Sequence, residues 1–404
     1  MGEQRGLDVW LLLSVMGLVT VGLLANYSTS YAEGELAFGH FYRQLIFAAI
    51  GFVCMMGAAS IPTKYFQQFA YVAYVLGFLG LIAILVVGSS KMGAKRWIDL
   101  GPFQLQLSEI GKFTVLLGVA RFLTDFPRDT KKNWITLTAI ALAVMPMGLV
   151  LVEPDMGTSL VYPMLLLCLL AWGGTPGWHL LLLITPVAAV MTSWHRTLHM
   201  SVLAGLLALV GLTSRKIVPV LLAAVVFLFV GSATPHLWGK LRPYQQKRLL
   251  TFINPEADPL GSAYQLIQSK IALGSGALTG KGFLNGTQTQ LKFLPEGHTD
   301  FIFSAWGEEF GFVGTIAVTA LFFIIFYRGL RLASRCHNPF YSLVAAGIVG
   351  MMAAQALTNL LMTVGLLPVT GVPLPFISYG GSSLLTWMTL SGLLLGISFR
   401  WREH

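Results

Sequence analysis

Residues 8–27 read DVWLLLSVMGLVTVGLLANY, with one acidic residue at the start and no other charge. As a helix rising 1.5 Å per residue, such a run crosses the ~30 Å hydrocarbon core of a bilayer. It begins shortly after Arg5, is longer than the apolar region of a secretory signal and lacks a clean small-x-small cleavage pattern, so it reads as a retained anchor. Eleven further apolar runs follow, at about 43–61, 70–88, 108–124, 133–152, 158–174, 178–193, 199–213, 217–231, 301–327, 341–366 and 374–398. The three between 178 and 231 are short and closely spaced. Charged residues make up 11% of the chain and mean hydropathy is +0.72, against roughly 25% charge in a soluble domain. The fold class is an all-α polytopic membrane protein, a single integral-membrane domain over 1–404.

Charge orients it. With the N-terminus in the cytoplasm, the inner stretches hold Arg5, Lys64, Arg128, Lys131, Lys132, Arg215, Lys216, Arg328, Arg331, Arg335, Arg400 and Arg402. The short outer loops hold only Arg43, Lys91, Lys95, Arg96 and Arg196, a bias that puts both termini inside. The net charge of +9 therefore reflects membrane orientation, and nucleic acid is not implied. Cys54, Cys168 and Cys336 lie in or beside apolar segments without CxxC spacing and read as small hydrophobes.

Between 232 and 300 the chain leaves the apolar pattern for one large outer loop. It is rich in aromatic, glycine and branched residues and carries Asp258 within Asp258-Pro259-Leu260-Gly261. A loop this long is functional or disordered, and its aromatic and branched content argues for a folded functional element over a passive cap. Its seven Lys/Arg against four Asp/Glu, counted from Trp238 to Asp300, suit an anionic ligand.

Three polar clusters sit at the predicted outer edge, where charge is a functional hint. In the first, Lys95 and Arg96 run against the inside-positive trend, so a local anion could hold them. Trp97 beside them suits the lipid–water interface or a sugar ring. Ser108 has the chemistry of a helix cap, and Glu109 and Lys112 are three apart, placed to pair on one helix face. In the second, Glu153-Pro154-Asp155-Met156-Gly157-Thr158 puts two acids in a tight membrane turn, with Asp155 able to cap the next helix. In the third, Thr370 to Ser383 contains two prolines and paired glycines at membrane depth. Such irregular backbone is tolerated where it is buried in protein or lines a cavity. Each cluster also has a plain structural reading, as interfacial belt, cap or kink.

Other signals carry less. Gly274 to Gly282 misses the phosphate-loop pattern, having Ser275 and Gly282 where glycine and Ser/Thr are required. His195 and His199 have metal-like spacing in a turn without a further ligand. Glu308 and Glu309 are adjacent, point to different faces, and at least one is expected to face a cavity.

Seven blocks, in order, resemble the SEDS (shape, elongation, division and sporulation) membrane glycosyltransferases, most of all the elongation branch, RodA. They are Lys95 to Asp99, Ser108 to Lys112, Pro154 to Thr158, Asn254 to Gly261, Gln268 to Ala272, Leu294 to Phe303 and Pro373 to Ser382. Gly286 to Gln290 is more similar to the elongation form than to the division form, FtsW. Two departures stand out. Gln106-Leu107-Ser108-Glu109 replaces the family's Gln-Pro-Ser-Glu, and three apolar segments fill 178–231 where most members have one. That implies about 10 core helices plus an inserted hairpin, 12 spans in all, with parity and the outer loop preserved.

The resemblance implies a peptidoglycan glycosyltransferase in the bacterial cytoplasmic (inner) membrane, acting in cell elongation. It would polymerise lipid II and release undecaprenyl pyrophosphate on the outer side. Asp258 matches the family's catalytic aspartate, with Asp155, Lys112 and Glu109 as further catalytic candidates. Lys95, Arg96, Trp97, Gln268, Ser269 and Ser378 would bind substrate. A class B penicillin-binding protein and the elongation machinery would be partners. No sequence cluster demands a metal, though a divalent cation (Mg or Mn) would suit the pyrophosphate. A lipid II flippase and a non-catalytic scaffold are the alternatives. A flippase needs polar groups through the whole bilayer depth, whereas these map to one side.

Overall fold

The computed structural model describes residues 7–33, 39–91, 94–100, 103–126, 132–239 and 263–400, together with 246, 248, 250–252, 258 and 261 of the outer loop. Each of the twelve apolar runs carries a helix. These are α1 (Val9–Glu33), α2 (His40–Ser60), α4 (Ala70–Val87), α5 (Leu107–Asp125), α6 (Asn133–Val152), α7 (Met156–Trp172), α8 (Gly177–Thr192), α9 (Arg196–Ser214) and α10 (Ile217–Trp238), followed by α13 (Ile302–Arg335), α14 (Pro339–Thr363) and α15 (Gly381–Arg400). The short α3 (Thr63–Gln68) precedes α4, and α11 (Tyr264–Ser275) and α12 (Thr287–Gln290) lie in the outer loop. Among the described residues, eight helices are long and apolar enough to cross a membrane, and three shorter apolar ones accompany them.

The fold is the expected all-α bundle with one small addition: β1 (Ser89–Lys91), β2 (Ala94–Leu100) and β3 (Phe103–Gln106) form an antiparallel sheet before α5, with Trp97 opposite Gln106. The structure corrects two sequence expectations. The outer loop starts after Trp238 and not at 232, because α10 keeps its helix through that segment despite Pro235. Ser108 is no cap. Strand β3 runs to Gln106, which takes the N-cap position and leaves Ser108 inside the first turn of α5.

Alternating crossings predict which helix ends share a face, and those ends meet. On one face Arg400 donates to the carbonyls of Ala59, Ser60 and Ile61, Tyr71 to Asp125, and Arg328 pairs with Asp8 at 2.7 Å. On the other, Trp194 meets Trp238 edge to face and His40 stacks on His298. The main core gathers Leu116, Leu165, Val344, Met352, Trp387 and Leu394 from α5, α7, α14 and α15. Helices α8, α9 and α10 share a small core of their own around Leu206, Val210 and Ala223.

Without a hydrophobic drive between helices in lipid, close backbone approach holds a membrane bundle together. Gly392 and Gly396 provide it on α15, where a Cβ at Gly392 would fall 2.1 Å from the Met55 carbonyl of α2. The 34-residue α13 is longer than a bilayer needs and breaks at Gly311, whose φ of 64° suits glycine. The outer loop repairs the break. Phe312 and Val313 donate to the carbonyls of Ala277 and Leu278, while Lys281 and Gly282 donate to those of Glu308 and Glu309. Glu308 is fully buried and accepts from Lys281, Gln288 and Thr289, so this carboxylate closes the joint and does not open to a cavity.

Gly392→Ala should destabilise by about 1–3 kcal/mol through overpacking against α2. Gly148→Ala on α6, with nothing within 4 Å of its Cβ, should be neutral or stabilising by up to ~1 kcal/mol. Melting curves of both variants in one detergent check the contrast.

Candidate active site

The irregular segment 364–380 forms the floor of the site. Its backbone lies at the mouth of the bundle and needs hydrogen-bond partners that lipid cannot supply. Amide side chains supply them. Gln355 donates to the Pro373 carbonyl, Asn359 to Val372 and Asp300, and Asn26 to Ile377, while Gln44 both donates to Ser378 and accepts from Gly380. Phe376 sits at φ 66°, a conformation that costs about 1–3 kcal/mol and persists only where surroundings impose it.

One wall is the turn between α6 and α7. Asp155 caps α7, accepting from the Thr158 amide at 3.1 Å, as its position suggested, and its second oxygen takes Gln106 Nε2 at 2.7 Å and Ser108 Oγ at 3.4 Å. Gln106 also donates its amide to Ser382, which donates in turn to the Gln104 carbonyl. The sheet, α7 and α15 are thus drawn to one point.

Lys112 lies one turn deeper. Its ammonium meets Glu109 at 2.8 Å and Gln355 at 3.2 Å, and stands 5.7 Å from the Trp387 ring. The predicted pair is present, with both side chains almost fully buried. Gln355 links it to the irregular segment.

The outer rim carries Asp258. Its carbonyl accepts from the Gly261 and Ala263 amides, a turn that leads into α11. The carboxylate rests against Gly261, where a Cβ would come within 2.3 Å of Oδ2, which gives the Asp-Pro-x-Gly spacing a steric reason. The side chain is exposed. Asp300 stands at the end of the loop, just before α13. Burial first, and then Glu296, push its carboxyl up to about 6, with Arg248 opposing.

The other candidates divide. Trp97 is half-buried on β2, and Gln268 is half-buried on α11. Lys95 and Arg96 lie on β2, but their side chains fall outside the described residues, as do Asn254 to Ala257. Ser269 is fully buried, bonded to Ser304 and the Thr363 carbonyl, and Ser378 holds the Leu374 amide and the Thr299 carbonyl. Both hydroxyls, expected to bind substrate, are engaged in contacts within the protein. Sequence reasoning missed Asn26, Gln44, Gln355 and Asn359. Their signal is an uncharged amide inside an apolar run.

Polytopic bundle and one-sided polar site together define a membrane enzyme of the SEDS type, and the comparisons agree. The profile of the family described as "Cell cycle protein", covering FtsW, RodA and SpoVE, matches residues 7–201 and 195–403, and the chain belongs to that family. It is 37% identical over 397 residues to the peptidoglycan glycosyltransferase MrdB of Escherichia coli K12, covering 98% of this chain and 94% of that one. It is 32% identical over 423 residues to the peptidoglycan glycosyltransferase RodA of Treponema pallidum, covering 97% and 98%. A chain of a solved peptidoglycan synthase complex that coordinates polymerization and crosslinking superposes with TM-score 0.71 at 29% identity, covering 98% of each. A crystallised mutant of the rod shape determining protein RodA of Thermus thermophilus superposes at 0.64 and 25%, also covering 98% of each.

Two outcomes test the site. Removing one partner of a buried ion pair strands the other charge, so Glu109→Gln or Lys112→Met should cost about 3–5 kcal/mol. The double replacement by Leu and Met should recover much of that, read as melting temperature. For Asp300, a folded-state value above the unfolded one means that the native state holds the proton more tightly. Its stabilising contribution is full below about pH 4 and lost as pH rises through about 6. Asp300→Asn should flatten the fall in melting temperature across that window.

Proposed function

We propose that this chain is a peptidoglycan glycosyltransferase that polymerises lipid II at the outer face of the bacterial cytoplasmic membrane and serves cell elongation. The observation that carries the reading is the position of Asp258. It is an exposed carboxylate on the outer loop, which docks through α11 and the Gly311 joint onto a bundle with a buried Asp155–Gln106 and Glu109–Lys112 network. That arrangement suits an amphipathic substrate whose sugars lie outside and whose tail lies in lipid.

In the proposed reaction the acceptor's 4-hydroxyl attacks the anomeric carbon of the lipid-linked donor. Asp258 takes the hydroxyl proton as general base, a role worth about 10²–10⁴ in rate. The bond to the pyrophosphate breaks, and undecaprenyl pyrophosphate leaves with the electron pair. Asp155, Glu109 and Lys112 hold the wall and floor in shape. Both oxygens of Asp155 and one of Glu109 already face donors of the protein, and among the described residues no three carboxylates or imidazoles gather there. That set does not fit a resident Mg²⁺ or Mn²⁺ ion, and no step runs through one. The relative in the synthase complex supports a class B penicillin-binding protein as partner. A flippase would need polar groups through the bilayer depth, whereas the Asp155–Gln106 and Glu109–Lys112 networks gather at one end of the bundle, beside the outer loop.

Asp258→Asn, nearly isosteric but unable to take the proton, should lower glycan polymerisation of labelled lipid II by about 100-fold or more without changing expression or partner binding. Polymer made at the wild-type rate would remove Asp258 from the base role.

A further inference from the structure

Lys112 cannot meet a departing pyrophosphate. Its ammonium is buried to 1% exposure and already faces Glu109 and Gln355. The leaving group nevertheless gains negative charge that a cation should face. Arg248 is exposed, lies on the outer loop and precedes Asp258 by ten residues. Its guanidinium reaches the irregular segment: a Cβ at Gly371 would lie 3.8 Å from Arg248 Nη1 and 3.6 Å from Asp300 Oδ2. Arg248 and the Asp300 carboxylate thus converge on one point. Against the same stretch of backbone packs Gly157, where a Cβ would lie 2.9 Å from the Thr370 carbonyl and 3.1 Å from that of Gly371. Gly157 follows the cap residue Asp155 by two positions, so Arg248 stands beside the wall of the site and leads the chain towards Asp258.

We infer that Arg248 is the cation that receives the pyrophosphate as it leaves, and that Asp300 is its positioning residue. The inference rests on the polymerase reading above. As the acceptor oxygen bonds to the anomeric carbon, the carbon–oxygen bond to pyrophosphate breaks with its electron pair, and the proton goes to Asp258. The guanidinium fork then makes charge-assisted hydrogen bonds to the phosphate oxygens, a geometry that lysine cannot copy. The Asp300 carboxylate holds the fork at Gly371, while the Asp300 carbonyl is itself fixed by Asn359 at 3.0 Å.

The test uses the full chain with its transpeptidase partner, labelled lipid II, and inorganic pyrophosphate as inhibitor. Arg248→Ala should lower kcat about 100-fold, the scale of a lost transition-state donor, and added guanidinium should restore part of it. Inhibition by pyrophosphate should weaken roughly 10-fold. Arg248→Lys should show the same weakened inhibition with a smaller loss of kcat, and supplies the measurement if the alanine variant does not fold. Asp300→Asn should move kcat and pyrophosphate inhibition in the same direction, with Asp300→Glu restoring both. Wild-type pyrophosphate inhibition in the folded Arg248 variants overturns the inference, and an Asp300→Asn variant with unaltered inhibition removes the positioning role. A wild-type protein that makes no polymer strikes the polymerase reading instead.

Discussion

Unpaired backbone at membrane depth is the constraint on which the rest of this structure depends. Segment 364–380 turns back into the bundle with few helical hydrogen bonds, and lipid offers none. Four amide side chains from three helices meet it: Asn26 on α1, Gln44 on α2, and Gln355 and Asn359 on α14. Each is useful only if its helix is correctly placed, so the segment and the bundle specify one another. Gln355 extends the arrangement by also accepting from Lys112, which couples the floor of the site to a buried cation.

The same logic explains the loop. A break in α13 at Gly311 frees helical hydrogen-bonding groups, and the backbone of 277–282 takes them. Glu308 and Glu309 then seal the joint, Glu308 on the Lys281 side and Glu309 by a short hydrogen bond from Ser28 of α1. An outer loop tied this firmly to two helices can hold α11, and the turn of Asp258 that precedes it, at a fixed level. Buried charges such as Glu308 and the Glu109–Lys112 pair are weak sources of net stability, but removing one partner strands the other and is costly.

Much of this was legible in the sequence. The helices follow the apolar runs, the Asp155 cap follows from its place before α7, and the Glu109–Lys112 pair from its spacing. Period and charge are local signals, and they survive folding in lipid. What was not legible is set by tertiary contact. The sheet at 89–106 lacks a clear alternating pattern, and its last strand moved the cap from Ser108 to Gln106. Ser269 and Ser378 lie in motifs of the kind that marks a site, yet their hydroxyls are engaged in contacts within the protein. Asn26, Gln44, Gln355 and Asn359 carry no charge and sit in apolar runs, where only the cost of burying an amide hints at a waiting partner.

The central claim is that the polar network serves bond formation at one face and not passage across the membrane. Sealed proteoliposomes with fluorescent lipid II confined to the leaflet facing the outer loop, together with the partner transpeptidase, test it most directly. The account predicts glycan polymer in that compartment with no labelled lipid reaching the opposite leaflet. Lipid II crossing the bilayer without polymer would contradict it.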